Sequence, residues 1–561
     1  MGDAVTPPAV DVVIAGAGPT GLMAAALLAR CGLTLRILDK AAGQAQESRA
    51  FGVQARSMEL FLSVGLADAF LERGLIASGA QIFVDGRLAA QLDFDDIGRA
   101  DTPYPFLTMV PQWDVEAILV EDLARLGIAV EHRTEVTGFS QSDEAVAVRA
   151  TGPDGGAFTV EARYLVGADG AHSLVRKALG ADFQGAAYPQ GFLLADCKVE
   201  WPLDYDHFKA FLHERNFALY LPLRGESFCR IIAIVPAESD PAAAGDPQGI
   251  APATLQEVET AFRAAAGVDV RLSEPKWVSR YRVHHRGAST YGRGRVFIAG
   301  DAAHIHSPAG AQGMNTGLQD AANLAWKIAA VARGQAPAAL LATYHAERWP
   351  VGQKVLEVTD RLFAGVSSQA GWATALRNRL LPLVAGTVFR SGALRARAFH
   401  FISQLGIRYH AGEFVADDIS AGAPKAWRDG LRAGCRAPNA ALGWQRDVFG
   451  LIGGYRFHLL ALSHQALDAP AIDALCAAIG LAKAAAPFAM EVHLMARSLV
   501  GRDPRMVRAE SGEVFGTYGL GDGVSQALFL VRPDGYIAYR ADGMNFDGLA
   551  AFLRRMAPSP I

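Results

Sequence analysis

The stretch VFIAGDAAHIHSPAGAQGMNTGLQDAANLAWK, residues 296–327, places a short apolar run, a turn, a loop of small residues and a long helix in close succession. The apolar run at 296–299 has the length of a buried strand, and it breaks at Gly300 and Asp301. A turn here exposes one carboxylate at the end of a strand, where α/β proteins bind their ligands. We therefore expect Asp301 to face a ligand.

The loop after this turn, residues 307–313, consists of small residues and one proline, so its backbone leaves room for a flat ligand. Asn315 is expected to cap the helix that follows. The first N–H groups of that helix then point at the loop, and the positive end of its dipole favours an anionic or electron-accepting ring. A purely structural strand, turn and helix is the alternative interpretation.

A second glycine-rich turn stands near the N-terminus. A predicted strand at 11–15 runs directly into GAGPTG, residues 16–21, and an Ala/Leu-rich helix follows. The next predicted strand delivers Asp39, which lies 39 − 18 = 21 positions beyond Gly18, near the ~20 expected for an acid that binds a ribose hydroxyl. The spacing predicts a dinucleotide-binding βαβ unit with the pyrophosphate at the helix start.

The composition limits the classes of protein to consider. A chain of 561 residues with 51% hydrophobic and 20% charged residues is expected to fold into two or three domains. Its formal net charge of −4 offers no basic excess for nucleic acid. The apolar N-terminal segment is interrupted by glycines, which argues against a membrane span. Five scattered cysteines without a Cys-x-x-Cys pair predict reduced thiols, no structural metal and a cytoplasmic protein.

Other polar residues also stand near predicted strand ends or helix starts. Arg49 is favoured over Arg56 as the counter-ion of a pyrophosphate. Gln112 carries an amide that could bond a cofactor's sugar chain, although a role at a helix start is the alternative. A buried strand near 164–167 ends in Gly-Ala-Asp-Gly, with Asp169 and Gly170 at the start of a helix, so the first domain is built from pieces that are distant in sequence.

The middle and the end of the chain have different patterns. Apolar and polar residues alternate from 191 to 235, which predicts an antiparallel sheet that either roofs a pocket or only covers a core. The last 120 or so residues alternate strands with Ala-rich helices and predict a small separate α/β domain, whose final hairpin turns at Arg532-Pro533-Asp534-Gly535.

Three motifs in this order, GAGPTG at 16–21, GADG at 167–170 and AGDAAHIHSPAGAQGMN at 299–315, resemble the single-component FAD-dependent aromatic hydroxylases, the family of para-hydroxybenzoate hydroxylase. ISQLGIRY at 402–409 and LVRPDGYIAYR at 530–540 are similar to the branch with a thioredoxin-like C-terminal domain. That branch contains phenol hydroxylase, 3-(3-hydroxyphenyl)propionate hydroxylase and polyketide hydroxylases.

The resemblance implies noncovalent FAD and places its contacts position by position. The residues expected at the cofactor are Gly16, Gly18, Pro19, Thr20, Gly21, Asp39, Lys40, Arg49, Gln112, Asp169, Gly170, Asp301, Pro308, Gly310, Ala311, Gln312, Gly313, Met314 and Asn315. Of these, Asp39 would bind the adenosine ribose and Asp301 the ribityl chain, while the segment from Pro308 to Asn315 would lie along the isoalloxazine.

The resemblance also implies the chemistry. NADPH or NADH would reduce FAD, O₂ would add to it, and a flavin C4a-hydroperoxide would transfer oxygen to a phenolic or polyketide ring. Phe51 stands where phenol hydroxylase carries an acidic active-site residue, so the group that activates the phenol is open. Tyr220, Tyr281 and Arg282, together with Phe51, are the candidates for lining the substrate pocket.

Two other functions remain as alternatives. One is a Baeyer–Villiger or ring-modifying oxygenase of a polyketide on the same scaffold. The other is a non-catalytic relative that binds FAD and sequesters an intermediate. The aromatic substrate, O₂ and NAD(P)H are the expected partners, neither nucleic acid nor a membrane is expected, and homodimer formation is left open.

The expected fold is α/β, with a Rossmann-like FAD-binding domain, an antiparallel-sheet substrate domain and a thioredoxin-like C-terminal domain. We expect the FAD-binding domain to span residues 1–400, interleaved with the substrate sheet at about 70–110 and 185–290. A linker at 401–437 and the C-terminal domain at 438–561 complete the chain. Without paired cysteines, the last domain is not expected to be a thiol oxidoreductase.

Overall fold

The computed structural model describes residues 10–44, 50, 52–93, 98–99, 101–214, 216–235, 253–306, 312–367, 391–498, 505–521 and 523–558. Within them the strands are β1 Val10–Ala15, β2 Leu35–Leu38, β3 Gly52–Val53, β4 Leu75–Ile76, β5 Gly79–Val84, β6 Arg87–Asp93, β7 Thr108–Met109, β8 Val130–Glu131, β9 Glu135–Gln141, β10 Val146–Thr151, β11 Ala157–Gly167, β12 Phe183–Glu200, β13 Phe208–His213, β14 Asn216–Pro222, β15 Phe228–Val235, β16 Arg271–Ala288, β17 Gly292–Arg293, β18 Val296–Ile298, β19 His304–Ile305, β20 Ala416–Asp418, β21 Ala441–Gly443, β22 Arg446–Asp447, β23 Phe457–Ser463, β24 Met490–Ala496, β25 Met506–Arg508, β26 Gln526–Val531 and β27 Ile537–Asp542.

The helices are α1 Pro19–Arg30, α2 Ala55–Ser63, α3 Ala67–Arg73, α4 Gln112–Arg125, α5 Leu174–Ala178, α6 Leu255–Ala266, α7 Gly313–Ala332, α8 Ala339–Ser367, α9 Gly392–Ile402, α10 Lys425–Asp429, α11 Val448–Leu451, α12 Ala469–Ala485, α13 Glu513–Thr517 and α14 Phe546–Met556. A short 3₁₀ turn spans Gly300–Ala302. In the described part of the chain, no helix is both long enough and apolar enough to cross a membrane.

The first sheet joins distant parts of the chain, as the sequence predicts. Its strand order is β17-β18-β11-β1-β2-β8, with β10 and β9 attached beside β11. Strands β18, β11, β1 and β2 run parallel to one another. Helices α1 and α7 pack against each other, and their contact brings the N-terminal unit against the segment that begins at residue 296.

The second sheet corresponds to the predicted antiparallel one, but it is larger than the 191–235 pattern indicates, and its β5–β13 pair is parallel. Its order is β19-β16-β12-β15-β14-β13-β5-β6. All neighbouring pairs from β12 to β14 are antiparallel, and β16 extends the sheet to β19, the strand directly after the Gly300–Ala302 turn. The sheet is therefore hydrogen-bonded to the segment that carries the third motif.

The third sheet belongs to the C-terminal part and has the order β20-β27-β26-β23-β24-β25. The predicted turn at residues 532–535 closes the β26–β27 hairpin, where the Gly535 N–H donates to the Arg532 carbonyl at 2.9 Å. Strand β20 lies inside the predicted linker at 401–437, so this part of the linker is a strand of the C-terminal sheet. The thioredoxin-like character of this domain stays a prediction.

Candidate active site

The three motifs meet at one edge of the first sheet. Because β1, β2, β11 and β18 are parallel, their carboxyl ends lie side by side. Gly16 follows β1, Asp39 follows β2, Asp169 lies just beyond β11, and Asp301 lies just beyond β18. This edge is where open α/β sheets bind ligands.

The glycines of the first turn have different roles. A side chain at Gly16 would lie 2.3 Å from the Ala168 carbonyl oxygen, and one at Gly21 would lie 2.0 Å from the Gly16 carbonyl oxygen, so both glycines are needed for packing. A side chain at Gly18 would meet nothing within 4 Å. Helix α1 starts there with no side-chain cap and no acidic residue in its first turn. The open space and the first N–H groups of the helix, which have no partner within the helix, therefore fit a pyrophosphate.

Pro19 is the first residue of α1, and Thr20 packs between the two motifs. The Thr20 hydroxyl oxygen fills the space beside two glycines, because a side chain at Gly300 would lie 2.5 Å from it and one at Gly317 would lie 2.3 Å from it. Gly300 also has a left-handed φ of +61°. Thr20 therefore fixes the distance between the pyrophosphate turn and the Asp301 turn.

Asp39 supports the glycine turn from β2. Its Oδ2 accepts the Ala17 N–H at 2.6 Å, and its Oδ1 accepts the Ala41 N–H at 2.7 Å. Each carboxylate oxygen keeps a further acceptor position for a ribose hydroxyl. Lys40 is exposed at the same edge.

The start of α7 corrects one prediction. The capping position is Gln312, without a side-chain cap, and Asn315 lies inside the helix. The fully buried Asn315 amide instead donates to the Gly52 carbonyl at 2.8 Å and accepts the Gln54 N–H at 2.9 Å. Asn315 is not the cap because both ends of its amide are used by β3 and the residue after it.

Other predicted cofactor residues have local partners. The Asp169 carboxylate accepts the Leu174 N–H at 2.7 Å at the start of α5, and Gly170 adopts a left-handed φ of +76°. Gln112 begins α4 and donates to Glu116 at 2.9 Å, which corresponds to the helix-start alternative. Gly313 and Met314 are half-buried at the start of α7. Arg49, Phe51, Pro308, Gly310 and Ala311 lie outside the described residues.

A buried row of charged and imidazole groups, which the sequence did not reveal, lies behind the Asp301 turn. The His304 Nε2 atom is 2.6 Å from Asp320 Oδ2, and His304 Nδ1 is 2.8 Å from His306 Nε2. Arg348 Nε donates to Asp320 Oδ1 at 2.7 Å, and Asp320 Oδ2 also accepts the Gly300 N–H at 3.2 Å. The row therefore holds the turn that carries Asp301.

The charges of this row are fixed by their surroundings. Burial alone would raise the pKa of Asp320, but His304 and Arg348 outweigh it and hold that pKa below its ordinary value. Burial and the neighbouring His304 lower the pKa of His306 well below its ordinary value, so its ring is neutral at pH 7. Among the described residues, the buried Nδ1 atom of His306 has no hydrogen-bond partner. His306 stands two positions before Pro308, where the segment predicted to lie along the isoalloxazine begins. The only sequence signal was the pair of histidines inside the third motif.

Gln404, which lies in the ISQLGIRY segment, is a further residue that the sequence analysis did not single out. Its Nε2 donates to Gln312 Oε1 and, at 3.0 Å, to the Thr316 hydroxyl, and its Oε1 accepts from Gln319. All these side chains are buried. Gln404 thus ties the first turns of α7, predicted to lie at the isoalloxazine, to residues far along the chain.

The antiparallel sheet has two apolar faces. We define its inner face by Tyr188, Phe192, Leu194, Leu219, Leu221, Ile232, Ile234 and Tyr281, which form one cluster with Ala77 and Met109. We define its outer face by Leu193, Ala195, Cys197, Tyr220, Cys229 and Ile231, which pack beneath α6. Met109 of β7 pairs with Gly52 of β3, and Gly52 accepts the Asn315 amide. The inner face is therefore connected through β7 and β3 to the start of α7.

This division places two of the substrate candidates on opposite faces. Tyr220 lies on the outer face, fully buried, with its ring centroid 4.4 Å from that of Trp201. Side chains alternate along β14, so Leu219 and Leu221 point inward and Tyr220 does not. Tyr281 lies on the inner face and stacks on Phe192, with ring centroids 5.5 Å apart. Arg282 is the next residue of β16 and points to the opposite side.

A buried ion pair shares the inner face. Arg230 donates from Nε and Nη2 to the two oxygens of Asp196, both at 2.6 Å, and both side chains are fully buried. The third nitrogen of Arg230 donates to the Ala50 carbonyl at 3.0 Å. The pair therefore joins the sheet to the segment that precedes β3.

Two cavities flank these elements. The larger, about 660 Å³, is lined by Arg163, Arg295 and Phe297 of the first sheet region together with residues of α7 and α8, and it contains none of the residues predicted to bind the cofactor. The smaller, about 360 Å³, is lined by Ile76, Ala77 and Phe106 among others. Ala77 also belongs to the inner-face cluster, so the smaller cavity opens at the edge of that face.

One histidine and glutamate cluster in the described residues has ligand atoms close enough for a metal ion: His458, Glu491 and His493. The His458 Nδ1 and His493 Nε2 atoms are 3.1 Å apart, with ring centroids 5.4 Å apart, so the nitrogens point directly at each other. No single position lies both about 2 Å from the two nitrogens and in line with both lone pairs. The arrangement is that of a hydrogen-bonded pair.

Comparison with known proteins agrees with this geometry. The family described as "FAD binding domain" matches residues 9–359. A flavin-dependent monooxygenase of Mycobacteroides abscessus is 35% identical over 83% of this chain and 90% of its own length. Pentachlorophenol 4-monooxygenase of Sphingobium chlorophenolicum is 31% identical over 94% of this chain and 93% of its own length.

Solved structures extend the similarity to nearly the whole chain. Anhydrotetracycline hydroxylase of Streptomyces rimosus superimposes with a TM-score of 0.72 at 32% identity, covering 98% of this chain and 100% of that one. A complex of aklavinone-11 hydroxylase with FAD and aklavinone has a TM-score of 0.75 at 25% identity, covering 99% and 100%. The glycine turn, the strand-end acids and these relatives together show that the chain belongs to the single-component FAD-dependent aromatic hydroxylases.

Proposed function

We propose that this enzyme uses NADPH or NADH and O₂ to hydroxylate a phenolic substrate with more than one ring, bound on the inner face. The observation that carries the proposal is the extent of that face. Its apolar side chains come from four neighbouring strands, β16, β12, β15 and β14. Strands about 4.8 Å apart make this surface roughly 15 Å wide, which exceeds the width of a single ring.

We further propose that the residues at the strand ends hold FAD. The pyrophosphate would lie on the start of α1 beside Gly18, with Arg49 as its counter-ion, while Asp39 holds the adenosine ribose and Asp301 the ribityl chain. Bound FAD supplies the hydride acceptor and the oxygen-activating ring. The first turn of α7 would place the positive end of its dipole beside that ring.

On the substrate side, the residues of the inner face bind and orient the ring and exclude water. Tyr281 and Phe192 already stack on each other, and such aromatic faces bind a further ring by offset stacking. Exclusion of water is what oxygen transfer requires, because solvent access favours wasteful loss of the activated oxygen. The charges of Asp196 and Arg230 compensate each other, so the pair adds no net charge to this face.

Other aspects of the proposal have simple support. All five cysteines are free, which fits a reducing cytoplasmic setting. The relatives named for pentachlorophenol, anhydrotetracycline and aklavinone act on aromatic compounds of different size, so substrate size is the property to test first. Homodimer formation is left to measurement of the mass in solution.

The test is a screen of NADPH and NADH oxidation with single-ring and multi-ring phenols, with the products analysed by mass spectrometry. We expect multi-ring phenols to accelerate oxidation of the nicotinamide and to gain one oxygen atom. Faster oxidation and product formation with single-ring phenols would contradict the proposed substrate class. Uniformly slow oxidation in every case, with FAD bound, would favour the non-catalytic alternative.

A Baeyer–Villiger reaction also adds one oxygen atom, so the mass alone does not separate it from hydroxylation. Carbon NMR of the product does separate the two reactions. Hydroxylation keeps the ring and adds a carbon–oxygen single bond on an aromatic carbon, whereas oxygen insertion creates an ester carbonyl. We expect the first pattern.

A further inference from the structure

The hairpin between β26 and β27 enters the FAD-binding part of the molecule. Arg532 is almost fully buried and donates from Nη1 and Nη2 to the two oxygens of Glu347 on α8, at 2.7 and 2.9 Å. Asp534 accepts from Arg532 Nε at 3.0 Å and from Asn323 of α7 at 3.3 Å. Lys327 of α7 donates to Glu347 at 2.8 Å. Two cations and two carboxylates are thus matched away from water.

Arg348, the residue after Glu347 on α8, connects this cluster to α7. Arg348 donates to Asp320 at 2.7 Å and to the Thr316 carbonyl at 3.1 Å, and both partners belong to α7. Tyr409 contacts both arginines, since its hydroxyl accepts from Arg348 Nη1 at 3.4 Å and its ring centroid lies 5.1 Å from the Arg532 guanidinium. Tyr409 belongs to the ISQLGIRY segment, for which the cofactor site gave no direct role.

The row ends at the candidate flavin site. Asp320 accepts the Gly300 N–H and is hydrogen-bonded to His304, which in turn is hydrogen-bonded to His306, the last described residue before position 312. From Arg532 to His306, each step is a hydrogen bond, an ion pair or the backbone link between the neighbouring residues Glu347 and Arg348. All members except His306 are buried.

We propose that this C-terminal hairpin braces the FAD site and that Arg532 is a positioning residue for FAD, acting through α8 and α7 without touching the cofactor. Removing the Arg532 guanidinium leaves Glu347 with Lys327 as its remaining cationic partner among the described contacts, which allows α8 to shift against α7. A shift of α7 moves both the Asp320 row and the first turn of the helix. A second connection to the start of α7 is the hydrogen bond from Gln404 to Gln312.

The test measures FAD binding to the full-length apoprotein by fluorescence titration. In Arg532→Met the dissociation constant for FAD is expected to rise about 2- to 30-fold, the range for residues that act through a contact network. The matched control is Arg540→Met on the same hairpin. Arg540 is equally buried, but it bonds Asp417 at 2.8 Å and the Trp427 carbonyl at 2.9 Å within the C-terminal domain. This control is expected to bind FAD as the wild type does.

A second readout separates positioning from loss of folded protein. At saturating FAD, a purely structural defect leaves the visible spectrum of the bound flavin unchanged, whereas a displaced α7 shifts its bands. We expect a shift in Arg532→Met and a smaller one in Arg532→Lys, which restores the charge. If Arg532→Met does not fold, Tyr409→Phe tests the same connection by removing only the hydroxyl that Arg348 contacts.

The proposal is overturned if Arg532→Met or, in its place, Tyr409→Phe binds FAD with wild-type affinity and spectrum. It is equally overturned if Arg540→Met weakens FAD as much as Arg532→Met, because the C-terminal domain would then only need to be folded. None of these measurements involves a phenol or turnover, so they stand apart from the test of the substrate.

Discussion

The two faces of the antiparallel sheet are similarly apolar, yet they are covered by different parts of the molecule. The outer face is closed by α6, which packs Val258 and Phe262 onto Tyr220 and its neighbours. The inner face packs against Ala77 and Met109. Met109 lies on β7, which is linked through β3 to the start of α7. The outer face, covered by a helix of its own domain, contributes stability, whereas the inner face is the one that we propose binds the substrate.

The ion pairs of the two faces differ in how exposed they are to water. On the inner face, the bidentate Asp196–Arg230 pair is fully buried. On the outer face, Lys209 is buried but its partner Asp204 is 44% exposed. The inner pair is therefore the more sensitive to loss of one partner, since an uncompensated charge there has no access to water.

The largest effect is expected from Asp196→Asn. The variant leaves the Arg230 guanidinium buried without a counter-charge and should lower the free energy of unfolding by about 3–5 kcal/mol. Urea denaturation followed by circular dichroism measures this. The control is Glu274→Gln, which removes the partner of the exposed Lys198 and should leave the midpoint unchanged. An equal loss of unfolding free energy in both variants would show that burial does not determine how much each ion pair contributes.

The second-largest effect is expected on the affinity for the phenol. Tyr281→Leu removes the ring that stacks on Phe192, and we expect it to weaken binding of the phenol by about tenfold, at the upper end for one aromatic contact. The FAD affinity should stay at its wild-type value. Titration of each ligand separately measures both. A tenfold loss of FAD affinity, with phenol binding retained, would reverse the assignment of this face.

A smaller effect is expected from Tyr220→Phe on the outer face. The Tyr220 hydroxyl donates to the Tyr205 carbonyl at 3.2 Å, and its loss should cost about 1 kcal/mol of stability. Because the residue lies away from the cofactor side, KM for the phenol should not change. A raised KM at unchanged stability would place Tyr220 in the substrate pocket after all.

The smallest effect is a pH dependence that belongs to the outer face. Burial alone would raise the pKa of Asp204, but hydrogen bonds from Lys209 and His207 outweigh it and hold that pKa below its ordinary value. Such a carboxylate stabilises the fold above the unfolded-state pKa of about 3.9, and this stability is lost as the pH falls. The urea midpoint of Asp204→Asn should therefore fall less between pH 4 and pH 2 than that of the wild type. An equal decrease of the urea midpoint in the two proteins would contradict the assignment of this pH dependence to Asp204.

Local patterns in the sequence were sufficient to place the strand-end residues. The spacing from Gly18 to Asp39 and the break at Gly300 depend on short-range periodicity, and parallel pairing then brings these positions to one edge. The turn at residues 532–535 was likewise predictable from its residue types. The resemblance carried by the three motifs was confirmed over nearly the whole chain.

The tertiary structure decided the partners that lie far apart in the sequence. Asn315 bonds Gly52 across 263 positions instead of capping its own helix, and Arg532 reaches Glu347 across 185. The alternation in β14 shows that Tyr220 and Leu219 lie on opposite faces, but it does not show which face α6 covers. Periodicity reports which residues share a surface, whereas the choice of surfaces that meet depends on the packing of the whole chain.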